Sequence, residues 1–279
     1  MPELPEVETM MRGLKPVLEG RRLTKVELRR GGLRFPFPEN FVTRLEGRTI
    51  RSLARRAKYI VATLDSEDSL LIHLGMTGRF SVQTPSETGG GAGLHDHAVF
   101  TLDDGTRVIY SDPRRFGVMD LFTLALGHKL LDGLGVEPLG NEFHAQFLAT
   151  RFAGKAAPLK AALLDQKIIA GLGNIYVSEA LYRARLSPRR KARTLARGRR
   201  IDPRLEDLAR HIREILLEAI EAGGSTLRDF AHADGSSGDF QERFLVYGRE
   251  GEPCRNCGAP VRRIAQSGRS TFFCKACQR

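Results

Sequence analysis

Cysteine is scarce in this 279-residue chain: four occur, and all lie beyond residue 253. That excludes a disulfide framework running through the whole chain. No stretch approaches the ~18 consecutive apolar residues of a membrane-spanning helix. The N-terminus is acidic and lacks the basic-then-apolar order of a secretory signal. These absences point to an intracellular protein. There is no internal repeat. A GxxxxGK[ST] loop, an HExxH helix and a GxSxG elbow are also missing, so NTPase, zincin and α/β-hydrolase chemistry lack support. Acidic side chains are in deficit, with 33 Asp+Glu against 44 Lys+Arg, a net charge of +11 and a pI near 9.9. Such a balance favours a polyanionic partner, nucleic acid first. The plainer alternative is a basic protein kept soluble by its charge.

With 41% hydrophobic and 28% charged residues, the chain can build one large domain or two ordinary ones around a sizeable core. Residues 5–15 carry Val7, Met10, Met11 and Leu14 at helical spacing, with Pro5 in the first turn and Gly13 and Pro16 at the expected end. From 21 to 123, runs such as KVELRR, KYIVATLD, SLLIHLG, HAVFTL and TRVIYSD predict short antiparallel strands. A sandwich or barrel-like first domain follows. PSETGGGAGLHD (85–96) reads as a loop. The helical part begins near Pro158, with Asn174 as a candidate N-cap. Residues 202–224 form one clean helix, capped by Asp202 and stopped by Gly223 and Gly224. DFAHADGSSGDFQ (229–241) reads as a flexible loop. The expected domains are 1–123, a junction at 124–157, a helical domain at 158–247 and a small tail at 248–279.

That tail is the strongest local signal. Cys254 and Cys257 form one CxxC pair, Cys274 and Cys277 the other, with residues 258–273 between them. Four thiolates in two knuckles suit a closed, tetrahedral, structural Zn²⁺, which replaces a core that so short a segment cannot build. Two disulfides or free thiols are the alternative. Between the knuckles, VRRIAQSGRSTFF reads as a hairpin with a Ser-Gly turn, which puts Arg269 at the fingertip. It is either a phosphate or active-site contact or a solvated surface arginine.

The opening MPELPE poses a chemical question. Removal of Met1 would expose Pro2 as a secondary amine. An α-amino group has a pKa near ~8, so a useful fraction is unprotonated at neutral pH. Such an amine attacks an aldehyde-like carbon to give an iminium, and Glu3 beside it could move protons. The residues alone favour a plain helix start, with proline and acids suiting its first turn. Lys58, at the start of an apolar strand, is an edge residue or part of a phosphate path with Arg55 and Arg56. Met76 and Phe116 are apolar side chains in polar turns, next to Arg114. Residues of that kind are more often core, yet an apolar wedge beside an arginine also fills the gap left by a flipped base.

Taken together, MPELPEVET, RRAKY (55–59), HLGMTG (73–78), HDH (95–97), DPRRFG (112–117), GLGNIY (171–176), the DG-containing loop and the terminal CxxC–hairpin–CxxC resemble the bacterial formamidopyrimidine-DNA glycosylase family, from the first residue to the last. The resemblance implies an α+β multidomain fold: an N-terminal β-sandwich flanked by helices, then a helix-two-turns-helix domain with a β-hairpin zinc finger, the DNA lying in a basic cleft. It implies a bacterial, cytoplasmic and monomeric enzyme of base excision repair that binds damaged double-stranded DNA and one structural zinc. Oxidised purines would be excised and the strand cut by β,δ-elimination. By the same resemblance Pro2 is the nucleophile, Glu3 the general acid/base, Lys58 the lysine of β-elimination and Arg269 the arginine of δ-elimination. Met76, Arg114 and Phe116 fill the void and test the orphaned cytosine. His95, Arg114 and Lys155 contact DNA, Lys160 and Asn174 clamp phosphates, and the loop near 225–240 closes over the lesion. The GGGAG stretch lengthens the loop before His95. A sister activity on oxidised pyrimidines, and a catalytically silent zinc-ribbon DNA- or RNA-binding protein, are the competing readings.

Overall fold

The first helix, α1 (Leu4–Leu18), begins with a reciprocal cap: the Glu6 carboxylate accepts from the Glu3 amide at 2.8 Å, while the Glu3 side chain accepts from the backbone of Glu6. The expected stop at Gly13 and Pro16 does not occur, and Pro16 lies inside the helix. An interior proline costs about 3 kcal/mol. Burial of Leu14 and Leu18 on the core face offsets this at about 2 kcal/mol each. Gly13 is instead a close-packing residue: a Cβ there would sit 3.4 Å from that of Ala233.

The computed structural model describes residues 2–87, 93–197, 201–226, 233 and 235–279. These fall into two units, one holding the described residues up to Asp132 together with Ala222–Asp239, the other Gly133–Glu221 and Phe240–Arg279. Met1, the 88–92 part of the lengthened loop, and 227–232 and 234 of the proposed closing loop lie outside the described residues.

In the first unit, β1 (Leu23–Leu28) is followed by α2 (Phe41–Leu45), β2 (Ile50–Arg56), β3 (Tyr59–Leu64), β4 (Asp68–His73), β5 (Arg79–Gln83), β6 (Asp96–Leu102), β7 (Arg107–Ser111) and β8 (Val118–Thr123). They form two four-stranded sheets, ordered β1-β6-β7-β5 and β2-β3-β4-β8. Every pairing is antiparallel. Inward residues of both sheets, such as Phe80, Phe100 and Tyr110 from one and Leu53, Ile60 and Met119 from the other, share a core with α1. This is the expected sandwich. Strand β8 is not legible in the sequence, because Val118, Met119, Leu121 and Phe122 are all buried and break the alternation of a half-exposed strand.

Ala222–Asp239 joins this unit even though it follows the long helix of the other. Ser225 donates to Glu6 Oε1 from both its amide and its hydroxyl, each at 2.9 Å, and the Val82 amide donates to the Ala233 carbonyl at 3.1 Å.

The second unit packs α3 (Ala145–Phe152), α4 (Leu159–Leu163), α5 (Asn174–Arg183) and α6 (Pro203–Glu221). The Arg204 amide donates to Asp202 Oδ1 at 3.0 Å, as a cap should. The stripe Leu205, Leu208, Ile212, Leu216 and Ala219 is buried. Asn174 is not the cap of α5: Gly173 holds that position in extended conformation, and Asn174 is the first helical residue. The hairpin β9 (Arg262–Gln266) and β10 (Arg269–Phe273) closes the unit. Its turn residues Ser267 and Gly268 both have positive φ, 51° and 72°, the geometry a two-residue turn needs to match strand twist. No helix among the described residues is long and apolar enough to cross a membrane.

Candidate active site and cysteine cluster

Pro2 is buried and Glu3 is 4% exposed, where α1 begins. One turn on, Glu8 receives a hydrogen bond from Arg55 Nε at 2.8 Å, and Arg55 Nη1 donates to the Ala57 carbonyl at 2.9 Å. Burial works to raise the Glu8 pKa, but the bonds from Arg55 and Arg12 outweigh it and leave the carboxyl below its ordinary value. This chain of contacts fixes the β2–β3 turn against α1. Lys58 is in that turn rather than in the strand, which starts at Tyr59. Ala57 beside it adopts φ 54°, uncommon for a residue with a Cβ. Lys58 is only 6% exposed, unusual for a lysine in a turn. Its charge is felt by His73, which pairs across the strands with Tyr59, the rings 4.9 Å apart. Burial, then Lys58 and Arg34, push the His73 pKa down to about 4. The imidazole is therefore neutral at pH 7, and its Nδ1 accepts from the Gly75 amide at 3.0 Å.

Gly75 opens the first of two interlocked loops. Its φ is +64°, and a Cβ there would come within 2.4 Å of the Phe116 carbonyl carbon, so only glycine fits. Asp112, fully buried, holds the pair together. Its Oδ1 accepts from Thr77 Oγ1 at 2.5 Å and its Oδ2 from the Gly117 amide at 2.8 Å. Thr77 Oγ1 in turn accepts from the Arg114 amide at 3.2 Å, and the Asp112 amide donates to the His95 carbonyl at 3.0 Å. One residue, through its carboxylate and its amide, thereby holds the segments that carry His95, Met76, Arg114 and Phe116. Met76 and Phe116 stay 39% and 44% exposed, beside Arg114. The Arg114 guanidinium stacks 4.7 Å from the Phe116 ring centroid.

In the second unit, Arg269 is exposed at the hairpin turn. Behind it, Asn174 Nδ2 and Lys160 Nζ both donate to the Ser270 carbonyl, at 3.0 and 2.9 Å, and Lys160 also donates to Thr271 Oγ1 at 2.7 Å. Lys160 is 1% exposed. It faces the finger rather than solvent, so the structure gives it the task of holding β10. Lys155, after α3, lies 4.0 Å from Asp165. The sequence does not reveal two buried carboxylates. Glu6 caps α1 and holds Ser225. Glu179 accepts from the amides of Leu245, Val246 and Tyr247 at 2.9, 2.9 and 2.7 Å. An acid at an apolar helix position is the only available hint of Glu179.

The sulfurs of Cys254, Cys257, Cys274 and Cys277 lie within 4.8 Å of one another. Tetrahedral Zn–S bonds of ~2.3 Å space their sulfurs by about 3.8 Å. The Cys254–Cys277 and Cys257–Cys274 separations of 3.9 and 3.5 Å match this and are far too long for disulfides. Burial works to raise the Cys254 pKa, but the Tyr182 hydroxyl and nearby amides outweigh it and bring the thiol down to about 6. The four-sulfur cage, with sulfur separations near those of a tetrahedral site, fits one structural zinc.

Three family models match the chain: the formamidopyrimidine-DNA glycosylase N-terminal domain over residues 1–119, its H2TH domain over 134–231, and a zinc finger found in FPG and IleRS over 251–279. The chain is 57% identical to formamidopyrimidine-DNA glycosylase of Beijerinckia indica, with all of both chains covered. Among solved structures it is similar to the MutM (Fpg) protein of Thermus thermophilus, with TM-score 0.86, 42% identity and 99% and 98% of the two chains covered. It is similar also to Lactococcus lactis Fpg in complex with DNA containing N7-benzyl-Fapy-dG, with TM-score 0.89, 33% identity and both chains fully covered. The arrangement built above from single residues thus has full-length counterparts, and the chain belongs to the formamidopyrimidine-DNA glycosylase family.

Proposed function

We propose that this chain is a bifunctional DNA glycosylase and AP lyase that removes oxidised purines, 8-oxoguanine and formamidopyrimidines, from duplex DNA in base excision repair. The observation that carries this reading is the buried Pro2–Glu3 pair at the start of α1 in a chain whose full-length relatives are glycosylases. Once Met1 is removed, the Pro2 amine attacks the sugar C1′ while the bond from C1′ to the base breaks and the base leaves with a proton. Glu3 then protonates the ring oxygen O4′. The C1′–O4′ bond opens, and the nitrogen lone pair completes an iminium. The iminium makes the C2′ proton acidic. Lys58 assists its loss, which expels the 3′ phosphate. A second elimination, served by Arg269, expels the 5′ phosphate. Both ends of the gap are left as phosphates. Zinc, when bound by the four cysteines, supplies a rigid scaffold and takes no part in these steps.

Met76 and Phe116 fill the space of the extruded nucleotide, and Arg114 donates to acceptors of the orphaned cytosine. His95 and Lys155 contact DNA and Asn174 clamps a phosphate, while Lys160 acts on DNA through the strand it holds. In this reading the protein works in the bacterial cytoplasm, at the nucleoid. Borohydride trapping tests it: an 8-oxoguanine duplex becomes covalently bound to the wild type with Met1 removed, and Pro2→Gly, which replaces the cyclic secondary amine by a primary one, gives a much weaker band. No trapped band from correctly processed wild type overturns the proposal, and so does a band of equal strength from Pro2→Gly.

A further inference from the structure

The second unit contains a recess of about 710 Å³ between the segment 187–194 and the base of the finger. Arg189, Arg190, Lys191, Arg262, Lys275 and Arg279 line it, and no Asp or Glu side chain does. Elsewhere on this unit some arginines are paired, Arg183 with Glu218, Arg204 with Asp202 and Arg249 with Glu252. Among the described residues, none of the recess cations has an acidic side chain within ion-pair distance. Burial, then the charge of Arg204, lowers the Arg190 pKa; Asp202 opposes this but is itself bound by Arg204.

The walls are built rather than incidental. Gln278, 4% exposed, lies at the floor, where its Oε1 accepts from the Cys274 amide and its Nε2 donates to the Leu186 carbonyl, both at 2.9 Å. The Arg279 backbone oxygen accepts from the Ser187 amide at 3.0 Å and from Arg190 Nε at 3.2 Å. The recess is also separate from the fingertip. Arg262 pairs with Phe273 at the base of the hairpin, Arg269 with Gln266 at its tip. The four residue-to-residue steps of strand between them span about 13 Å.

Arg190 is held by the Arg279 oxygen and by Thr194 Oγ1; the like charges around it, held close without acidic side chains, repel one another, and the arrangement is relieved by a polyanion whose charges are equally dense. We propose that this recess binds a run of phosphates supplied by the backbone of undamaged DNA, a second nucleic-acid contact apart from the lesion site. The proposal rests on the glycosylase reading for its choice of polyanion. Such a contact holds a neighbouring segment of duplex while the catalytic residues engage a lesion, so that the enzyme passes between segments without full release.

The test is the triple variant Arg189→Ser, Lys191→Ser, Arg262→Ser in the full-length, zinc-loaded protein. None of these residues belongs to the proposed catalytic or lesion-binding set. Affinity for a long undamaged duplex is measured against salt, and borohydride trapping on a short lesion duplex is run beside it. The salt slope for the undamaged duplex falls by up to ~2.7, about 0.9 for each phosphate that is no longer neutralised, while trapping on the short duplex is unchanged. An unchanged slope, or an equal loss on the short duplex, overturns the second binding surface. Inorganic tripolyphosphate separates the possible sources. If it binds the wild type and not the variant while duplex affinity is the same for both, free polyphosphate is the ligand and the DNA reading fails. Absence of trapping in the wild type refutes the glycosylase reading instead, whatever the slope does.

Discussion

Two turns of this molecule each present an arginine beyond a rigid support, and they are supported in different ways. Arg114 belongs to a loop held by the buried Asp112 carboxylate, which takes hydrogen bonds from Thr77 and Gly117. Arg269 belongs to a hairpin whose base is a four-cysteine cage and whose strand is tied by Lys160 and Asn174. The first support grows out of a sandwich core shared by two sheets and α1. The second stands on a satellite cluster of Tyr182, Val246, Val261 and the cysteines. A loop rooted in a large core needs one well-satisfied carboxylate. A hairpin without such a core needs a metal.

The largest effect should come from breaking the second support. Cys254→Ser, or removal of zinc by a chelator, unfolds the finger and abolishes DNA binding, while the sandwich keeps its own unfolding transition. Metal content, DNA affinity and unfolding monitored in each unit check this. Full binding by the metal-free protein would show that the cage does not organise the DNA-binding surface. The matching test on the first support is Asp112→Asn, which turns an acceptor toward a donor in a fully buried site. A loss of about 2–3 kcal/mol is expected, with loosened discrimination of the base opposite the lesion and zinc content unchanged. A variant as stable as wild type would mean the two loops are held by packing alone.

A smaller change separates metal from hydrogen bonds within the finger itself. Lys160→Met keeps the stem and removes the donors to Ser270 and Thr271. It should retain zinc yet cost about 1–3 kcal/mol in the second unit and lower the rate of the final elimination more than that of base release. Equal loss in both steps would argue that Lys160 acts directly on the DNA.

What is legible in the sequence follows the same division. The cysteine spacing announces the cage, the Ser-Gly pair announces the turn, and periodicity announces the strands and α6. Each of these is local. The supports of the first unit are not. Glu6 reaches Ser225, more than two hundred residues away, and Arg55 reaches back to Glu8. Asp112 reads only as part of a loop motif, because nothing in a sequence distinguishes a buried carboxylate receiving three donors from a solvated one. Lys160 shows the opposite: its charge suggests phosphate, while its burial and its bonds to Ser270 and Thr271 become visible only in the fold.

The finest test of the comparison uses acid, because the first support has imidazoles beside it: His73 accepts from the Gly75 amide and His97 bonds to the Asp112 carbonyl. His73 has its pKa lowered to about 4 by burial and by Lys58 and Arg34, against ~6.5 in an unfolded chain. Between those values the unfolded state binds the extra proton, so acid favours unfolding. Stability of the first unit is unaffected by this group above pH ~6.5 and falls as pH drops toward 4, by about 1.4 kcal/mol at pH 5.5. Protonation would also remove the acceptor for the Gly75 amide, the residue that lets the two loops meet. His73→Gln should flatten the decline between pH 6.5 and 5 without touching zinc content. If the slopes of wild type and variant coincide over that window, His73 is not the group that titrates there.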